Sequence, residues 1–575
     1  MNNSTDTYDL IVIGGGIAGL SAAVRSTELG LRPLLLEQGE GVDYPCNSRH
    51  SGGIVHIGFY DPFRPAEELE QIINKLTNGE AKPELAKALA NNGARLITWL
   101  QEKGGKFMRF NPQEGYRWCM APPRALRAGL DWKERGPDLM LRRLAQELKE
   151  RGGVLQQGAR VATLLMENGR CIGAQGTLQG NPHVWHAPNC VLADGGFQAN
   201  RELYERYIGA GFDSVFQRGA RTGRGDGLTM ALQAGGTITP GKRFYGHVLC
   251  SDAQHNDAVW PYPEVDAIAT AGMVIDSSGQ RIVDEGRSGV HLANELAAKA
   301  KTAQLFAVFD QTIWDGPGTS ARIPANPLLE KAGGTILRAD TAQELAEKMG
   351  VPLSNFINTI NQYNQALNEN RLDTLDIPRS NKVKPMPIIN APLMAIPICP
   401  GITYTMVGIN IDEHAQVLDT EAKPIPGLFA AGATTGGIEG GQDSVYIGGL
   451  IKSGSFGLIA AERIASLEGK TVPVKSQPTN QKLESSSNQP IQENIPEQKT
   501  LGLERFPILR ATILYGKSIA VVLGILVAII CYVGLSPSLG LLGLLIAIGV
   551  GLSVLVVILG IVELVILITE FLMPN

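Results

Sequence analysis

Two glycine-rich stretches at opposite ends of the globular part carry spacing that could do chemistry. The first is Gly14-x-Gly16-x-x-Gly19, which follows directly on the apolar run Leu10–Ile13 and opens a helical stretch. Gly14 permits a tight turn, Gly16 lets the backbone approach a pyrophosphate, and Gly19 lets strand and helix pack closely. Amides of the first helical turn, around Ala18, then present the positive end of the helix dipole to the phosphates. Glu37 closes the next apolar run, 18 residues after Gly19, placed to accept ribose hydroxyls. This is the pattern of a dinucleotide site. The second stretch, AAGATTGGIEGGQDSVYIGG from Ala430 to Gly449, holds seven glycines in twenty residues, with Tyr446 near its end. Glycine at that density means backbone passing close to a bound group, or repeated positive φ.

The elements that must position these stretches alternate in type. DLIVIGG and RPLLLEQ read as short buried strands flanking the helical AGLSAAVRSTEL, a β–α–β unit that implies an α/β parallel core. NCVLADGGF and GLFAAGATTGG repeat the passage from buried strand into glycine loop. Between about 242 and 385 the texture changes to amphipathic RSGVHLANELAAKAK and TAQELAEKM with Pro-punctuated loops. The expected organisation is a dinucleotide-binding domain in two parts, 1–241 and 386–469, with an inserted α+β domain at 242–385. Residues 470–505, rich in Pro, Gln, Ser and Asn, read as a disordered linker that cannot bury enough surface to offset its ordering entropy.

At 575 residues the chain exceeds one compact core, so several domains are expected. A net charge of −5 leaves no basic excess and argues against nucleic acid as a partner. The seven cysteines are scattered with no CxxC pair, which gives neither a metal site nor a disulfide framework, and they read as inert thiols. The polar start MNNSTDTYDL lacks the apolar core of a signal peptide. The far C-terminus differs in kind. SIAVVLGILVAIICYVGL, from Ser518, carries no charge for 18 residues, and a second uncharged run spans Leu539–Val562. Both approach or exceed a bilayer-spanning length, so 506–572 reads as a transmembrane hairpin turned at Ser536-Pro537-Ser538, with a buried soluble hairpin as the alternative. Arg505, Arg510 and Lys517 precede the first span, which puts the catalytic part on the cytoplasmic side of an integral two-pass protein. Glu563, in the distal part of the second span, is a functional candidate or lies near an interface.

The ordered set NSRHSGGIVH (47–56), LADGGF (192–197), GRGDG (223–227) and GLFAAGATTGG (427–437) asks for more than a nicotinamide site and resembles the FAD-binding flavoproteins of fumarate reductase and succinate dehydrogenase. The resemblance covers nearly all of residues 8–466 and implies FAD in a Rossmann-like domain with an inserted capping domain. It also implies that Asn47, Ser48, Gly52 and Gly53 lie beside the flavin ring and that Asp194 and Asp226 lie near the dinucleotide. By the same resemblance Gly432, Gly449, Leu450 and Ile451 belong to the backbone that approaches ring and diphosphate. Some relatives tether FAD through a histidine in the early loop. Here His50 stands too close to Gly52-Gly53 and Cys46 is nearest by count, so non-covalent FAD is expected.

At the reacting end, fumarate reductases show HHTMGG and NRLGGN, whose histidine and arginine clamp a carboxylate. This chain has TYTMVG (403–408) and VYIGGL (445–450), so Tyr404 and Tyr446 take those positions. A phenol offers one donor and no charge, which weakens a bidentate clamp. Paired tyrosines resemble the 3-ketosteroid Δ1-dehydrogenase branch, while GQRIVDEGR (279–287) and FYGH (244–247) look more like the tricarballylate dehydrogenase branch. The resemblance makes Arg287 the nearest counterpart of the family's proton-donating arginine and lets His247 reach substrate from the inserted domain. The implied function is a membrane-anchored FAD oxidoreductase that moves hydride and proton across a C–C bond next to a carbonyl or carboxylate. Its small-molecule substrate would be a small acid or a hydrophobic enone, with a quinone or partner protein exchanging electrons. A catalytically inactive, flavin-bearing membrane assembly subunit is the competing reading.

Overall fold

The computed structural model describes residues 7–109, 115, 117–299 and 304–472, and in the C-terminal segment 523, 527, 529, 530, 533, 544–550 and 552–559. Residues 1–108 with 115–479 form one compact unit; 109–114 with 480–575 form another.

The first unit is built on two six-stranded sheets. In one, the strand order is Gln416–Leu418, Pro424–Ala430, Cys190–Leu192, Leu10–Ile13, Pro33–Glu37, Val154–Gln157. All neighbours run parallel except the outermost Gln416–Leu418. Leu10–Ile13 and Pro33–Glu37 are buried at every position, as their unbroken apolar runs require when helices cover both faces. Helices Ile17–Glu28 and Gly449–Leu467 pack on each other so closely that a Cβ on Gly457 would stand 2.4 Å from the Ala18 carbonyl oxygen. A Cβ on Gly19 would stand 1.9 Å from the Gly14 carbonyl oxygen, so that position admits no side chain.

The second sheet is organised by the 13-residue strand Leu393–Thr405, against which Phe216–Gln217, Phe244–Cys250, Leu305–Asp310 and Leu337–Ala339 all pair, with Met273–Asp276 beyond. The boundaries expected at 241/242 and 385/386 thus divide the strand set of this sheet, because its longest strand lies after residue 385. Phe244–Cys250 runs antiparallel to that strand with Tyr245 opposite Tyr404, and the register slips between Tyr245 and Gly246. A smaller antiparallel meander covers Ala159–His186.

Most of the expected hairpin at 506–572 and of the linker at 470–505 lies outside the described residues. Among the described residues no helix is long and apolar enough to cross a membrane. Residues 544–550 and 552–559 are helical, with Leu545, Val556 and Val557 exposed.

The loop that follows the first β–α–β unit is anchored by a buried charge pair. Arg49 bonds Asp138, both almost fully buried, and the guanidinium also lies 4.4 Å from the Tyr44 ring centre. Removing one partner of such a pair leaves an uncompensated buried charge. We therefore expect Asp138→Ala to lower the unfolding free energy by about 3–5 kcal/mol, read from the urea midpoint of the full chain, and to loosen the Asn47–Gly53 loop.

Candidate active site

Residues around Gly14–Gly19 form a cradle suited to a dinucleotide. Gly14 takes φ +105°, and a Cβ there would meet the Ala193 backbone at 2.5 Å. Glu37 accepts from Gly15 N and Gly39 N, both at 2.7 Å, while Tyr44 donates to the Gly15 carbonyl at 2.7 Å. Ser48 Oγ accepts from Ile17 N at 3.1 Å, tying the early loop to the helix start. The N-cap residues Gly16 and Gly448 have no side chain to cap their helices, so beyond Ile17 N and Gly449 N, which Ser48 and Tyr446 take, first-turn amides remain to face an anion. Around Gly52 and Gly195 nothing lies within 4 Å of where a Cβ would be, and Asp194 Oδ1 is buried without a partner. These features fit a nucleotide with phosphates at the helix ends and hydroxyls at the carboxylates.

The predicted cofactor residues mostly converge. Asn47 bridges the second sheet, donating to the Thr403 carbonyl and accepting from Ala220 N, each at 2.8 Å. Gly432 takes φ +89°, and a Cβ there would press on Ala18 at 2.9 Å. Asp194 accepts from Gly227 N at 2.8 Å, and burial, with Asp226 nearby, pushes its carboxyl up to about 6. Asp226 itself turns to Arg160 at 3.2 Å on a partly exposed flank, so it is the backbone of GDG that meets Asp194.

At the end of the second sheet three phenols meet. Tyr245 stacks on Tyr446 with ring centres 3.9 Å apart and planes 15° apart; Tyr404 lies 5.4 Å from Tyr245 and 6.4 Å from Tyr446. Antiparallel pairing of Tyr245 with Tyr404 delivers two of these rings, and the glycine loop delivers the third. Burial holds all three hydroxyls protonated, above the usual phenol range, and Glu439 adds to the effect at Tyr404 and Tyr446. Their hydrogen bonds differ. Tyr404 donates to Glu439, at 2.9 and 3.0 Å from its two oxygens. Tyr446 accepts from Gly449 N at 2.9 Å, and its own proton has no acceptor among the described residues. Tyr446 is thus the phenol with a donor to give.

Sequence reasoning missed the pair beneath them. Lys452 Nζ sits 2.5 Å from Glu439, both side chains buried, and Glu439 also accepts from Ile447 N and Gly448 N at 3.1 Å. A cation in the first turn opposes the helix dipole, so Lys452 is stable there only with its carboxylate. Being the charged residue of an otherwise apolar helix start was its signal. Tyr245 had one too: it stands two positions before His247, hence on the same face of a strand.

His247 reaches the phenols through Tyr245. Asp266 lies 2.5 Å from Nδ1, and because a carboxylate only accepts, Nδ1 carries the proton. Nε2, 3.0 Å from the Tyr245 hydroxyl, then accepts from it. Arg287 is spent on Asp284 at 3.3 Å and Asp443 at 3.0 Å. His56, unassigned from sequence, packs edge-on to Tyr446 at 5.3 Å, and burial lowers it to about 4, so it is neutral.

Fold and cradle together define a flavoprotein. The chain belongs to the FAD binding domain family, whose profile matches residues 9–444, and FAD is its cofactor. It is similar to the NADH:acrylate oxidoreductase of Vibrio harveyi, 26% identical over 540 residues covering 80% of this chain and 51% of that protein. A probable fumarate reductase of Shewanella frigidimarina is 25% identical over 458 residues, covering 76% of this chain and 71% of the relative. The chain therefore spans about half the length of the first of these relatives and most of the second. In fold it resembles a 3-ketosteroid Δ1-dehydrogenase of Sterolibacterium denitrificans, with TM-score 0.64, 18% identity, and coverage of 80% of this chain and 100% of that one.

Burial alone would raise Glu439, but Lys452, the loop amides and the Tyr404 hydroxyl hold it below the ordinary 4.5. A depressed carboxyl stabilises the fold above its unfolded value and loses that contribution as pH falls through the folded value. We expect thermal stability to decline below about pH 4.5. Lys452→Met should destabilise at pH 7 by about 3–5 kcal/mol, and because burial then raises the unpaired Glu439 carboxyl, acidification should recover part of that loss in melting scans.

Proposed function

We propose that the protein is an FAD-dependent oxidoreductase that adds or removes hydride and proton across a C–C bond activated by a neighbouring carbonyl or carboxylate. The observation that carries this is the convergence of Tyr446, Tyr245 and Tyr404 beside the start of helix Gly449–Leu467. Bound FAD supplies the hydride acceptor or donor. The chain's own groups supply polarisation and proton handling. Tyr446, its oxygen oriented by Gly449 N, donates to the substrate's activating oxygen. Tyr245 exchanges a proton with His247 Nε2, while Asp266 holds the ring through Nδ1. Tyr404 is fixed by Glu439 and shapes the wall. Names of matched relatives, acrylate and fumarate reductases among them, agree with this reaction class.

A second reading, a 3-ketosteroid Δ1-dehydrogenase-like enzyme on a hydrophobic enone, is favoured by phenols standing where carboxylate-clamping residues would be. Under either reading the inserted capping domain and the C-terminal membrane hairpin are part of the proposal. Exposed Leu545, Val556 and Val557 support contact with a bilayer, from which an apolar substrate or a quinone would come. Arg287, through Asp443, belongs in this reading to the support of the glycine loop.

Anaerobic mixing of the FAD-loaded chain with enones and unsaturated acids, or their saturated forms, tests the reaction by flavin absorbance. A correct reductant bleaches the flavin, and a correct oxidant restores the colour of the reduced protein. Tyr446→Phe should slow that step by about 100-fold or more. An unchanged rate would remove Tyr446 from the chemistry, and a yellow protein inert to every compound would favour the inactive assembly subunit.

A further inference from the structure

Most of the carboxylates around the phenols are paired with a cation. Glu439 is held by Lys452 and Glu264 by Arg218, while Asp266 accepts from His247 Nδ1. Asp138 is held by Arg49 and Arg142, and Asp131 by Arg127 and Arg135. Arg124 is left over. It is 4% exposed, forms no ion pair among the described residues, and spends one nitrogen on the Gly129 carbonyl at 3.2 Å. Its Nε and Nη1 are buried and without partners, as is Arg218 Nε.

A guanidinium buried without a counter-charge costs several kcal/mol unless something compensates it. The compensation present comes from Tyr262 and, more weakly, from the Asp131 carboxylate: Arg124 stands 4.0 Å from the centre of the Tyr262 ring, and Arg218 stands 4.7 Å from the same centre. One half-buried phenol is therefore bracketed by two cations. Their field reaches both sides of the site. Burial first, then Arg124 and Arg49, lower His50 to about 4, and Arg218 opposes the rise at Tyr446. His50 belongs to the loop beside Gly52 and Gly53, its Nδ1 is unpartnered, and its ring meets Trp132 at 5.3 Å and Trp260 at 6.4 Å.

Resting on the function proposed above, we infer that Arg124, with Arg218 across the Tyr262 ring, is an anion subsite that takes the substrate's carboxylate. It replaces from a different part of the chain the clamp that Tyr404 and Tyr446 do not provide. The class of substrate is then an unsaturated carboxylate or its saturated counterpart, with Tyr446 donating to the group that Arg124 holds.

The test is binding to the full FAD-loaded chain, read as perturbation of the flavin absorbance. Acrylate, fumarate and cinnamate are each titrated beside the methyl ester and methyl ketone of the same skeleton. At least one acid should bind, ten-fold or more tighter than its ester. Arg124→Gln should weaken that acid by about 10–100-fold, Arg124→Lys should recover part of it, and neither should move the Kd of a ketone more than about threefold. Ketones that bind while acids do not would overturn the anion subsite and leave the proposed reaction standing. Equal loss of acid and ketone in Arg124→Gln would make Arg124 structural and overturn it as well. Failure of every compound with the parent protein would overturn both readings. The acid–ester comparison needs no variant, so it holds even if Arg124→Gln does not fold.

Discussion

The site depends on one buried ion pair. Glu439 and Lys452 sit under the phenols with their charges out of water, and the same carboxylate gathers Ile447 N, Gly448 N and the Tyr404 hydroxyl. A loop as rich in glycine as 432–449 has high conformational entropy when unfolded and few side chains of its own to pack. Glu439 supplies what the glycines lack: one anionic point on which loop, helix start and second sheet converge. Tyr446, between Glu439 and Lys452 in sequence, takes its place from that closure.

The second constraint is the long strand Leu393–Thr405. Its far end carries Tyr404, while its antiparallel partner carries Tyr245 and His247. Gly246 sits at the register slip because a Cβ there would stand 1.9 Å from the Gly401 carbonyl oxygen. On that strand Tyr245 stacks on Tyr446 and His247 meets Asp266. The rings are thus placed by backbone geometry, whereas the cations around them, Arg124 and Arg218, come from segments distant in sequence.

Local features were the ones readable in advance. The strand–glycine–helix spacing of Leu10 to Gly19 and the position of Glu37 follow from short-range rules, and the structure shows the corresponding contacts. The ordered glycine motifs led to FAD, which the family confirms. Legibility ended where partners are far apart in sequence. Nothing near His247 announces Asp266, 19 residues on, and nothing near Tyr404 announces Glu439, 35 residues on. Nor does anything near Arg287 announce Asp443, 156 residues on. Arg160, 66 residues before Asp226, is a partner of the same distant kind.

The tight seat of Gly457 against Ala18 has a consequence for how the polypeptide is made. The helices that follow Gly16 and Gly448 pack on each other, so no ribosome-bound chain short of the second can bring the two helix starts together. At bacterial or eukaryotic elongation speeds, synthesis of the intervening stretch lasts roughly 20–90 s. During that interval the nascent first half waits with an unfinished binding face, dependent on its own β–α–β core or on chaperones to stay unaggregated. Closure of the two helix starts on each other thus waits until the last glycine loop has emerged.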